Sequence, residues 1–134
     1  MKVLATTIIM GILSFFCSLL GCTSSSSDEQ FQSVNVEQFE QVISDSAIVR
    51  LDVRTASEYN DGHVEGALNI DVLQDSFEEK AAALLPKDRT IALYCRSGRR
   101  SKRAASILTK MGYNVVELDS GFNGWKSAGR PIAK

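Results

Sequence analysis

The stretch from Cys95 to Arg103, CRSGRRSKR, holds a thiol and five of the fifteen lysines and arginines: Arg96, Arg99, Arg100, Lys102 and Arg103. Because the chain as a whole carries a net charge of −1, this is a local concentration of positive charge. A cysteine beside cationic groups gives up its proton more readily than a free one. Gly98 permits tight curvature in which successive backbone N–H groups point at one spot, and such a concavity binds anions. Cys95, Arg96, Ser97, Gly98, Arg99 and Arg100 therefore read as a six-residue turn that, with Ser101 opening the next helix, surrounds an ionised sulfur nucleophile. The opposing reading makes Cys95 a small buried hydrophobe closing a strand, with the arginines merely solvated. The coincidence of glycine, charge and strand-to-helix context favours the nucleophile.

Such a loop needs elements to hold it. Four short, mostly apolar runs, Ala47 to Val53, Ala67 to Ile70, Thr90 to Cys95 and Val115 to Leu118, predict strands covered on both faces. Amphipathic segments separate them. Phe77, Ala81, Leu84 and Leu85 line one side of a helix that Pro86 ends; Ala104, Ile107, Leu108 and Met111 line a second, from Ser101 to Lys110, that Gly112 caps. A further helix follows Asn35, which caps it, with Phe39 and Ile43 facing inward. Strands alternating with crossover helices predict an α/β fold: a mostly parallel central sheet flanked by helices on both faces. The carboxyl ends of the strands carry the chemistry in that architecture, and Cys95 lies at one of them.

Three cysteines and one histidine bound the other possibilities. Cys17 falls in an N-terminal leader, Met1-Lys2 followed by the apolar run Val3 to Phe16, which has the form of a secretory signal. Leu19-Leu20-Gly21-Cys22 then resembles a bacterial lipobox, in which cleavage before a diacylglycerol-bearing cysteine leaves the protein lipidated; Leu20 is bulkier than the small residue usual there. An uncleaved membrane anchor is the other reading of Val3 to Gly21. Both place the remainder outside the cytoplasm, at a membrane. The expected organisation is a signal peptide over 1–21, a lipidated cysteine with a flexible serine-rich tether over 22–33, and one domain over 34–134. Cys95 is then the sole free thiol of the folded part, and His63 the sole imidazole, which leaves too few ligands for a Cys/His metal cluster. Charge and export both argue against nucleic acid as a partner.

The loop CRSGRRS, with LDVRTASEYNDGHVEGALNI (Leu51 to Ile70) and GFNGWKSAGRPI (Gly121 to Ile132), resembles a single-domain rhodanese, a thiosulfate:acceptor sulfurtransferase. The resemblance implies a two-step relay: Cys95 takes the outer sulfur of thiosulfate or a similar anionic donor and passes it, as a persulfide, to cyanide, a thiol or a protein. It implies no cofactor, a monomer, and Arg96 to Ser101 as the anion-binding residues. Asp52 and Arg54 are expected to tie loops together near the site, with Arg54 paired to Glu58 or Glu65, and His63 to be a structural loop residue. Trp125, at helical spacing with Phe122 and Ala128, is expected in the core or at the wall of the site mouth. Two competitors share the loop. A rhodanese-like redox-sensing or binding module would use Cys95 without turnover. A cysteine phosphatase or arsenate reductase would need an arginine where Ser101 stands and a loop one residue longer.

Overall fold

The computed structural model describes residues 31–134; the leader, Cys22 and most of the tether lie outside them. The elements run β1 (Gln32–Val34), α1 (Val36–Ile43), β2 (Val49–Asp52), α2 (Ala56–Asn60), β3 (His63–Val64), β4 (Leu68–Asn69), α3 (Phe77–Leu84), β5 (Ile91–Tyr94), α4 (Arg99–Lys110), β6 (Val115–Leu118), α5 (Gly121–Ser127) and β7 (Ile132–Ala133). Every pairing in the main sheet is parallel, in the order β1-β6-β5-β2-β4. The small strands β3 and β7 pair antiparallel beside it.

The central strands read as apolar because helices cover both faces. Along β5, Ile91, Leu93 and the following Cys95 point into one core with Ala81, Ala104, Ala105 and Leu108 of α3 and α4. Ala92 and Tyr94 point into the other, with Phe39 and Ile43 of α1 and Phe122 and Trp125 of α5. Asn35 caps α1 as its sequence position predicts: its side chain accepts from the Gln38 N–H at 2.8 Å, and Gln38 returns the bond at 3.1 Å. Trp125 is a core residue whose Nε1–H donates to the Pro131 carbonyl at 2.8 Å.

Three boundaries move from expectation. Residues 32–33, assigned to the tether, belong to the edge strand β1 on β6. Helix α4 starts at Arg99, two residues early, because Gly98 serves as its N-cap. Leu84, expected on the apolar side of α3, is exposed, while Leu85 turns inward after the helix ends.

Candidate active site

Cys95 leaves the carboxyl end of β5 in the middle of the sheet, where the chain turns directly into α4. The turn holds its amides inward because its carbonyls are engaged on the other side. The Cys95 and Arg96 carbonyls accept from the Phe122 and Asn123 N–H groups at 2.8 and 3.0 Å, so the start of α5 is clamped to the outside of the loop. That clamp requires two glycines. Gly98 has φ +104°, and a Cβ there would lie 2.1 Å from the Asp119 carbonyl oxygen; at Gly121, φ +65°, a Cβ would lie 2.5 Å from the Arg96 carbonyl oxygen.

The reward is at the sulfur. The Gly98 N–H donates to Cys95 Sγ at 3.1 Å, and Ser101 Oγ lies 3.4 Å from it. No side chain caps α4, so the sulfur takes the place a capping oxygen would hold. Cys95 is 1 % exposed, and that burial pushes the thiol up. Hydrogen bonding with the Ser101 hydroxyl and with the Ser101, Gly98 and Ser97 amides outweighs it, and the net displacement is below the ordinary thiol value.

The arginines divide the work differently from their clustering. Arg96 is exposed and lines a cleft of about 470 Å³ beside the loop, together with Arg54, Glu58, Phe122 and Lys126. Arg99 is exposed on the first turn of α4. Arg100 is committed to Glu58 in a two-pronged pair at 2.8 and 3.0 Å. The Arg100 guanidinium, aided by the Thr55 amide and hydroxyl against partial burial, holds the Glu58 carboxyl down at about 2. The pair ties α4 to α2, whose N-cap is Thr55.

Arg54 therefore pairs with neither Glu58 nor Glu65. Its partner is Asp52, two residues back, at 2.6 Å, and both are buried. The correction has a simple cause: Arg100 reaches Glu58 from across the fold, a contact that spacing within Leu51 to Ile70 does not reveal. Arg54 also donates to the Gly62 carbonyl at 2.7 Å and lies 4.2 Å over the Phe122 ring, while the Tyr94 hydroxyl donates to Asp52 Oδ2 at 2.7 Å. Burial, with Asp52 beside it, pushes the Tyr94 hydroxyl far up, so it stays a donor. This network joins the ends of β2 and β5 to the β3 turn. His63 sits in β3, not in a loop, with Nδ1 2.9 Å from the Tyr59 carbonyl and its ring stacked on Tyr59 at 3.7 Å.

One residue escaped the sequence reading. Glu117, in the middle of β6, is fully buried and lies behind the loop: Ser101 Oγ is 2.5 Å from Oε2, Ser33 Oγ 2.6 Å from Oε1, and Lys102 Nζ 3.4 Å from Oε2. The signal was available, since a carboxylate inside VVEL, a strand covered on both faces, demands buried partners.

Fold and site together define an α/β domain with a buried cysteine in an amide-lined loop. The chain belongs to the rhodanese family: the model of the rhodanese-like domain matches residues 35–128. It is 42% identical over 71 residues to the thiosulfate sulfurtransferase PspE of Escherichia coli, covering 53% of this chain and 67% of that one. It is 29% identical over 102 residues to the thiosulfate sulfurtransferase GlpE of Shewanella oneidensis, covering 73% and 95%. A crystal structure of a rhodanese-related protein from Thermoplasma volcanium matches with a TM-score of 0.66 at 29% identity, over 76% of this chain and 97% of that chain.

Proposed function

We propose that the domain is a sulfurtransferase that carries sulfane sulfur on Cys95. In the first step the Cys95 thiolate attacks the outer sulfur of thiosulfate or a similar donor; a new S–S bond forms, the donor's S–S bond breaks, and sulfite leaves with the electron pair. In the second, cyanide, a thiol or a protein thiolate takes the outer sulfur, and the Cys95 thiolate is released. Donor, leaving group and persulfide are all anions, which is what inward-facing amides at a helix N-terminus stabilise. The observation that carries the reading is the convergence of the Gly98 amide and the Ser101 hydroxyl on Sγ, with the thiol lowered despite burial. Depth supports a small donor: with Cys95 only 1 % exposed, a terminal sulfur fits where a bulky group does not. Arg96 and Lys126 in the adjoining cleft supply positive charge for the approaching anion.

Lipid attached to Cys22, at the end of the N-terminal apolar run, is proposed to hold the domain on the extracytoplasmic side of a membrane, where a tether presents the loop to solutes or partner proteins. The decisive experiment is mass spectrometry of the Cys95 peptide after thiosulfate treatment. An added sulfur atom that cyanide removes is expected in the native chain, and Cys95→Ser abolishes thiosulfate:cyanide transfer with little loss of stability. A stable sulfenic acid or partner disulfide without turnover would instead establish the redox-sensing module, and transfer retained by Cys95→Ser would defeat the assignment.

A further inference from the structure

Ser101 stands between two acids. Its hydroxyl has one proton, yet its oxygen lies 2.5 Å from Glu117 Oε2 and 3.4 Å from Cys95 Sγ. Two arrangements satisfy these contacts. In one, Glu117 is a carboxylate accepting the Ser101 and Ser33 hydroxyls, and Cys95 is a thiol donating to Ser101 Oγ. In the other, Glu117 is a carboxylic acid donating to Ser101 Oγ, the Ser101 hydroxyl turns to the sulfur, and Cys95 is a thiolate. Passing between them moves two protons by one hydrogen bond each: sulfur to serine oxygen, serine oxygen to carboxylate. No net charge crosses the boundary of the buried set.

We infer that Glu117 is a positioning residue for the Cys95 nucleophile, taking up through Ser101 the proton that leaves the sulfur and returning it when the carrier is discharged. Glu117 is fully buried and Cys95 almost so, and two anions held apart by a single hydroxyl in such surroundings repel strongly, which favours one shared proton over two separate charges. The groups facing the pair balance it. On the Glu117 side, Lys102 lies 3.4 Å from Oε2 while bound to Asp119 at 2.7 Å, and β1 contributes the Ser33 hydroxyl alone. On the sulfur side are the loop amides and Arg100, itself offset by Glu58. The persulfide, being anionic, keeps the proton on Glu117 through both steps of transfer.

The inference rests on Cys95 being the working nucleophile, and the test separates it from the transfer reaction itself. In the full chain, the alkylation rate of Cys95 by iodoacetamide is followed against pH by mass spectrometry of its peptide. The native protein should show a broadened, two-step dependence. Glu117→Gln removes the competing anion, so the profile should collapse to one step with roughly tenfold faster alkylation on its acid limb. Ser101→Ala cuts the connection and removes a bond to the sulfur, so the acid limb should slow by about tenfold, in the opposite direction. A merely structural Glu117 would leave the profile of a folded variant unmoved, and identical profiles for native protein and Glu117→Gln overturn the inference. If Glu117→Gln fails to fold, as judged by circular dichroism, the shape of the Ser101→Ala profile decides: collapse to one step upholds the coupling, and a retained two-step profile overturns it. Thiosulfate:cyanide turnover is measured alongside. A coupled profile without turnover sinks the transfer reaction and upholds the shared proton; turnover with an uncoupled profile does the reverse.

Discussion

Glu58→Gln perturbs the pair with Arg100 while leaving the shape of the site intact, because a glutamine carbonyl still accepts from the Thr55 amide that Glu58 now engages at 3.1 Å. What is lost is charge. The carboxyl sits at about 2 against an ordinary 4.5. At about 1.4 kcal/mol for each tenfold change in proton affinity, that difference amounts to about 3 kcal/mol. The side chains are 22 % and 26 % exposed, so solvent screening lowers the expected contribution to about 1–2 kcal/mol. The sign follows from linkage: a carboxyl lowered by folding contributes fully above its unfolded value and progressively less as pH falls through the window from about 4.5 to about 2. Thermal unfolding of native protein and variant should therefore differ by about 5–10 °C at pH 7, with the difference shrinking steadily below about pH 4.5 toward about pH 2. A difference of equal size at both ends of that range would show that packing, not the ion pair, is at stake; none at pH 7 would show the pair to be as weak as an ordinary surface one.

Two further substitutions probe the loop and the leader. Gly98→Ala sets a Cβ against the Asp119 carbonyl in a left-handed backbone, and it should cost about 2 kcal/mol or more in chemical denaturation and slow Cys95 alkylation near neutral pH as the amide moves off the sulfur; an unchanged alkylation rate would show that the amide does not hold the thiolate. Cys22→Ala should abolish incorporation of labelled fatty acid, and label retained by that variant would remove Cys22 as the attachment site.

Much of this molecule was legible before any coordinates. Four strands announced themselves by apolar runs, because the inner strands of a parallel sheet covered on both faces are mostly apolar; β4, read as covered on both faces, is instead an edge strand with Leu68 exposed. Helix α1 announced itself through Asn35 and the Phe39–Ile43 spacing. The reactive loop was written in seven consecutive residues, since a turn from strand into helix uses local chemistry: a glycine for curvature and a thiol where the first amides of the helix converge. The strands β1, β3 and β7 were not legible; at two or three residues each, they carry no period to detect and exist only because a neighbouring edge is there to pair with.

The chain's own order of residues thus determined the fold class, the place of Cys95 at the loop and the amides around it, all of which depend on neighbours within a few positions. Only tertiary structure decided the partners of the charges: that Arg54 folds back on Asp52, that Arg100 crosses to Glu58, and that Glu117 reaches Cys95 through Ser101. The physical reason is distance along the chain. Glu58 and Arg100 are 42 residues apart, and Ser101 and Glu117 are 16 apart. Which opposite charges meet across such separations is set by strand order and helix packing, and no local spacing encodes it.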